Sequence, residues 1–366
     1  MQSILADNQN IGNSILITVD GFDVMVGYFT TESEDAEQAK KFERELLLAL
    51  FQIVLNKGTV KSSSSRLYPM SDFCIAIPHD RFLEVRSKDR DRYNYRHKFA
   101  RISWSGIELS SLLRKRLALL RDISDTKGPA LEERLANIMK RGYKELPNEI
   151  VFQFNSATYH MPLFIYALRH SFWRPRDILF YYATLLAAAE PFLKYKKDIS
   201  SDFIRQVISA STHIILEDEF YQEFTEFFHN LRQVMQMFRH SNQILNWTEL
   251  KEILDKSRFE TSLPSEHSSS LEWKIELLYD IGALGVVLDR KTAKKLQSFR
   301  HAFSFNEGQL LTNKLGREDY SNFQFALHPT FCESLHLDTS KNQELVLPID
   351  WDYLYENERL SSISSL

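Results

Sequence analysis

Ile15-Leu16-Ile17-Thr18-Val19-Asp20-Gly21-Phe22-Asp23 is the stretch on which the fold reading turns. An apolar run with β-branched residues, closed by Asp-Gly, suits a central strand of a parallel sheet, which is buried on both faces and must end in a turn. Its C-terminal end then delivers two carboxylates, Asp20 and Asp23, to the place where a nucleotide-binding α/β domain holds Mg²⁺ or positions a water. Three residues apart at a strand end, only one of the pair need face a ligand; a capping or turn role for both is the alternative. The phosphate loop G-x-x-x-x-G-K-[ST] that precedes such an acidic strand in P-loop enzymes occurs nowhere in the chain.

Outward from this strand, an acidic stretch at 30–38 leads into a helix predicted over 42–55, apolar nearly all round and therefore packed between layers. Gly58 and the serine run 62–65 make a loop. The next buried strand is predicted over 73–78 and stops at Pro78, which cannot donate to a ladder. His79 and Asp80 follow at its end, where they either line the same crevice or sit in a surface loop. A short edge strand over 100–104 and a helix over 106–120, capped by Ser103 or Ser105, complete a strand, helix, strand, helix order. That order favours a parallel sheet with helical cover.

From Leu131 the pattern is helix after helix, over 131–141, 161–170, 176–190, 201–216 and 219–237, with 131–191 read as a purely helical lid. Within it, Arg174-Pro175-Arg176-Asp177 is the most informative polar cluster. Pro175 lies close to the first helical turn, where its missing N–H costs nothing, and Asp177 favours the same N-terminus. Two arginines around that proline can direct a guanidinium toward phosphate; equally, they can tie the helix start to neighbouring carboxylates.

The last part has a different grammar. A short helix over 247–254 opened by Thr248, a loop over 261–270 and a helix over 271–281 closed by Gly282 precede two strands, 302–305 and 323–327. Helices followed by a two-stranded ribbon is the pattern of a winged helix, and Lys291, Lys294, Lys295, Arg300 and His301 beside it permit phosphate contacts. The tail from Leu345 reads as frayed. The resulting division is 1–125, 126–197, 198–340 and a tail over 341–366.

Composition narrows the function classes. The 366 residues carry a formal charge of −4, which gives no global reason to expect nucleic-acid binding. Cys74 and Cys332 are the two cysteines, too few for a disulfide framework or a cysteine metal site, and they fit a reducing compartment. No signal peptide and no apolar run of membrane-spanning length is read, so the expectation is a cytoplasmic protein without membrane contact. The carboxylate plus Glu-x-Lys pattern of metal-dependent nucleases is not visible, and His160, His170 and His240 look too scattered in helices to argue for zinc.

One resemblance gathers these motifs. Ile17-Thr18-Val19-Asp20-Gly21-Phe22-Asp23, Phe73-Cys74-Ile75-Ala76-Ile77-Pro78-His79-Asp80, Ile102-Ser103-Trp104-Ser105 leading to Leu113-Arg114-Lys115-Arg116-Leu117, and Phe172-Trp173-Arg174-Pro175-Arg176-Asp177-Ile178-Leu179 are similar in order and spacing to the C-terminal two thirds of a bacterial P-loop ATPase family. That family is akin to the STAND and AAA+ ATPases and occurs among prophage and anti-phage defence genes. The resemblance implies a fold that is α/β followed by mainly α: a partial parallel-sheet P-loop NTPase core, a helical lid and a C-terminal winged helix. It makes Asp20 the Walker B acid that holds Mg²⁺, Asp23 the acid that polarises water, and Asp80 with His79 or Arg81 the sensor beside the γ-phosphate. Arg174 and Arg176 become lid arginines near phosphate, and Tyr279-Asp280-Ile281-Gly282-Ala283-Leu284-Gly285 with His328-Pro329-Thr330-Phe331 resemble the winged helix segment.

The same resemblance places the Walker A loop upstream of this chain. ATP and Mg²⁺ are then expected only if an upstream polypeptide supplies the P-loop, and the chain cannot hydrolyse ATP alone. A homo-oligomer or a partner protein fits that reading. The alternative from a different class is a non-enzymatic winged-helix module that binds nucleic acid or protein.

Overall fold

The computed structural model describes residues 15–19, 45, 71–75, 104–123, 146–155, 157–195, 198–225, 227–261, 270–289, 291, 300–306, 317–342 and 345–347. The chain divides into two compact units, 1–100 with 262–265 and 101–261 with 266–366. The first unit contains β1 (Ile15–Val19) and β2 (Ser71–Ile75), paired parallel in the register Ile15 to Ser71 through Val19 to Ile75. Apart from Glu45, which is helical, the expected helix over 42–55 lies outside the described residues, as do the helix over 131–141 and Asp20, Asp23, His79, Asp80 and Arg81.

Two strands do not make a P-loop core. Such a core is a many-stranded parallel sheet with helices on both faces. Here the described sheets hold two, two and four strands, and the six strands outside the β1–β2 pair are all antiparallel. The partial P-loop NTPase core, and with it the STAND and AAA+ resemblance, is therefore overturned. The reason is that an apolar β-branched run ending in Asp-Gly specifies a strand and its stop, and leaves the number and direction of its neighbours open.

The second unit opens with α1 (Gly106–Ile123). Ser105 caps it: its Oγ accepts from the Glu108 amide at 3.2 Å, and Glu108 Oε2 accepts from the Ser105 amide at 2.8 Å, a reciprocal capping box. Next comes a hairpin of β3 (Glu149–Phe154) and β4 (Ala157–Pro162), where a purely helical lid was expected. Burial alternates along β3, with Ile150 and Phe152 inward and Glu149, Val151 and Gln153 outward. Asn155 opens the tight turn with φ +53°, and its Nδ2 reaches the Asn342 carbonyl at 2.9 Å, which fixes the hairpin tip.

Helices follow: α2 (Leu163–Arg169), α3 (Pro175–Lys194) and α4 (Ser201–Ile214). Without a break, α4 continues as a π-helical segment, Ile215–Phe220, and then α5 (Tyr221–Thr225); α6 (Leu231–Gln236) lies beyond a turn. The core of this region centres on Phe172, whose ring stacks on Phe220 and on His328, each with centroids 4.8 Å apart.

The remainder is β5 (Ile244–Leu245), α7 (Trp247–Lys256), α8 (Leu271–Asp280), β6 (Leu284–Val287), β7 (His301–Ala302) and β8 (Gln324–Leu327). Their sheet runs β5-β8-β6-β7, all antiparallel. A first strand, two helices and three later strands, of which the last, β8, lies between β5 and β6, contains the connectivity of a winged helix, with β7 added at the edge. The strands differ from those expected: β6 pairs with both β7 and β8, and only His301–Ala302 of the region around 302–305 is strand. Asn246, two residues before the expected Thr248, caps α7 through a full capping box with Glu249. Gly282, φ +82°, closes α8 in a Schellman motif, with the Ala283 amide on the Leu278 carbonyl at 3.0 Å.

Candidate functional site

In a winged helix that reads duplex DNA, the second helix of the pair presents an exposed, basic face to the major groove. The helix in that position here is α8, and residues Trp273 to Tyr279 of it are all buried. Its only cation is spent internally. Lys274 Nζ donates to the carbonyls of Leu254 and Ser257, each at 2.7 Å, capping the C-terminus of α7, and lies 5.4 Å from the centre of the Phe259 ring. Burial lowers the Lys274 pKa. Glu276 accepts from the Tyr320 hydroxyl at 3.2 Å. His301, one of the cations proposed for phosphate, is 3% exposed and accepts the Leu347 amide on Nδ1, while Lys294 and Lys295 lie outside the described residues.

Arg174 and Arg176 meet carboxylates. Arg174 Nη1 reaches Glu223 Oε2 at 2.5 Å; Arg176 reaches Glu219 Oε2 through Nε at 2.7 Å and Glu223 Oε2 through Nη2 at 3.1 Å. Glu219 belongs to the π-helical segment and Glu223 to α5, so four side chains join the start of α3 to the irregular part of the neighbouring helix. Below them Asp177 is fully buried. Its Oδ2 accepts the Phe172 amide at 2.9 Å and its Oδ1 has no hydrogen-bond partner. Burial pushes its carboxyl up to about 6, against the pull of Arg174.

Deeper still is a polar network of neutral and cationic groups. Thr330 Oγ1 donates to the His170 carbonyl at 2.9 Å and lies 2.6 Å from His328 Nδ1; Tyr181 donates to the same carbonyl at 2.7 Å. Arg169, buried, gives Nε to the Val346 carbonyl at 2.9 Å and Nη1 to His170 Nε2 at 2.9 Å, and no carboxylate among the described residues pairs with it. Burial holds the His170 and His328 pKa values well below the ordinary histidine range.

The structure thus places Arg174 and Arg176 in one cluster with each other and with two glutamates. Glu219 and Glu223 are the partners that sequence reasoning missed; their four-residue spacing in a helical stretch was the available signal. No family model, curated protein or solved structure matches the chain. Among the described residues no helix is long and apolar enough to cross a membrane.

Proposed function

We propose that the second unit is a non-enzymatic module of winged-helix connectivity that binds a protein rather than duplex DNA. The observation that carries this reading is the inward-facing α8, whose lysine caps a neighbouring helix instead of facing a groove. Exposed apolar side chains supply contact surface. Trp104, just before the Ser105 cap of α1, and Ile107, in its first turn, are 37% and 43% exposed and three residues apart, and tryptophan is favoured at binding hot spots. A cytoplasmic setting belongs to the reading and is supported by the free thiol of Cys332.

Two arms of one experiment test it. Anisotropy of a labelled 20-base-pair duplex titrated with the protein at low salt is expected to show no saturable binding. A photo-crosslinking amino acid at position 107, expressed in the native host, is expected to trap one discrete protein, and the same probe at exposed Asp255 none. Tight duplex binding that weakens steeply with salt would overturn the reading.

A further inference from the structure

One face of α1 is open to solvent, and its character changes along the helix. Leu109, Ser110 and Leu113 are buried, and the helix packs against α3. At about 100° per residue, Ile107, Ser111, Arg114 and Lys115 fall within one arc of about 100° on the other side, and all four are exposed. Arg116 is exposed beside them. The residue before a helix cap commonly packs its apolar side chain on the first turn, yet Trp104 keeps more than a third of its surface in solvent.

The open face is therefore apolar at one end and cationic at the other. Ile107 and Lys115 are separated by about 12 Å along the axis at about 1.5 Å per residue, and Ser111 puts only a small side chain between them. Arg114, Lys115 and Arg116 are three consecutive cations in a chain of formal charge −4, and Lys115 and Arg116 form no ion pair among the described residues. Glu108 is the acidic group near this face. Its Oε2 accepts from the Ser105 amide at 2.8 Å and the Ser105 hydroxyl at 2.9 Å, which holds the carboxylate at the helix N-terminus, two turns from Lys115.

We propose that this face of α1 receives a segment of a partner protein that carries an apolar side chain and, beyond it, a cluster of carboxylates. The inference rests on the reading of the second unit as a protein-binding module and names the chemistry of the partner. The apolar anchor meets Trp104 and Ile107, and the carboxylates meet Lys115 and Arg116, so charge sets the direction in which the segment lies. The spacing follows from the helix: anchor and carboxylates stand about four residues apart in an extended segment at about 3.3 Å each, or about eight apart in a helical one. A lipid surface fits less well, because α1 spends Leu109 and Leu113 on the core and leaves Trp104 and Ile107 to insert. The phosphate backbone of a duplex would meet the cations and offer nothing apolar to Ile107.

Selection of a random 12-residue peptide library, displayed on phage, against the immobilised full chain tests the assignment. The expected result is enrichment of sequences that pair Leu, Phe or Trp with two or more Asp or Glu at the spacing above. Anisotropy of an enriched peptide should show binding weakened about tenfold in the Lys115→Glu, Arg116→Glu double variant and about fivefold in Ile107→Ser, and kept within about twofold in Lys115→Arg, Arg116→Lys, which preserves both charges. No enrichment, enrichment of peptides without acidic residues, or peptides that bind the variants as they bind the wild type overturn the inference and leave the protein-binding reading standing; saturable duplex binding removes that reading instead. Co-sedimentation of the chain with phosphatidylserine vesicles, lost in the Lys115→Glu, Arg116→Glu variant, overturns the inference in favour of a membrane. Should a variant misfold, the wild-type chain carries the test: peptide affinity that does not fall as NaCl is raised from 0.05 to 0.5 M overturns it.

Discussion

Arg174 and Glu223 are joined at 2.5 Å with side chains 21% and 24% exposed, and Arg176 shares the same glutamate oxygen at 3.1 Å. Arg174 also lies 5.6 Å from the centre of the Phe172 ring, so the guanidinium is held by an ion pair and by the core. A pair this far from bulk water falls between the exposed limit of about 0–1 kcal/mol and the cost of about 3–5 kcal/mol for stranding one buried partner. Glu223→Ala is expected to lower unfolding stability by about 1–2 kcal/mol, measured by urea denaturation. The Arg174→Ala, Glu223→Ala double variant should cost less than the sum of the singles; strict additivity would show the pair to be uncoupled.

Gly285 in β6 has no room for a side chain. A Cβ there would sit 2.7 Å from the Phe303 ring. Gly285→Ala is therefore expected to cost about 1–3 kcal/mol, the usual range for overpacking a core. Combining it with Phe303→Leu should recover part of the loss, since the shorter side chain vacates the contact. A wild-type denaturation midpoint for Gly285→Ala alone would show that the ring yields freely.

What the sequence shows and what it hides can be read from particular elements. The strand at Ile15–Val19, the Ser105 cap of α1 and the Gly282 stop of α8 follow from local rules, because each depends on residues within one turn. The β3–β4 hairpin was missed although burial alternates along β3, because its turn starts at Asn155-Ser156 rather than Asn-Gly and the sequence around it reads as helical. The parallel core was inferred from a strand that stops at two carboxylates and from a strand, helix, strand, helix order; β1 and β2 do pair in parallel, but how many strands join them is a property of partners far away in sequence. Arg174 and Arg176 looked equally suited to phosphate or to carboxylates, and only the position of Glu219 and Glu223 decides between them. The stacking of His240 on His336, with ring centroids 5.6 Å apart, has no sequence signal at all, since it depends on two turns meeting.

Lys274 supplies a test of the inward-facing helix. Its ammonium group satisfies two carbonyls at the end of α7, and Lys274→Met keeps the chain length while leaving both without that donor. The expected loss is about 1–3 kcal/mol, the cost of unsatisfied buried acceptors. A lysine that instead served an exposed phosphate-binding face could be replaced with little effect on stability, so an unchanged midpoint would contradict the internal role.

Acid should weaken the fold, and the sign follows from which nitrogens already accept hydrogen bonds. His328 Nδ1 accepts from the Thr330 amide, His170 Nε2 from Arg169, and His301 Nδ1 from the Leu347 amide. Protonating any of these nitrogens expels a donor, and at His170 it also sets two cations side by side. Burial, and then Arg300, push His301 down to about 4, while unfolded histidine titrates near about 6.5. The unfolded chain therefore binds more protons between those values, and stability present above about pH 6.5 is lost as the pH falls toward about 4; for His301 this is on the order of 3 kcal/mol. Asp177 opposes it. With its carboxyl raised to about 6, the folded state binds the extra proton, and acidification from about 6 to about 3.8 stabilises by a similar amount. His301 and Asp177 thus nearly cancel, and His170 and His328, both fully buried and both shifted downward, decide the net direction. The urea midpoint is expected to fall between pH 7.5 and 4.5, and Asp177→Asn, which removes the opposing group, should steepen the fall. A midpoint that stays flat in Asp177→Asn would mean that the three histidines are not held neutral by the fold.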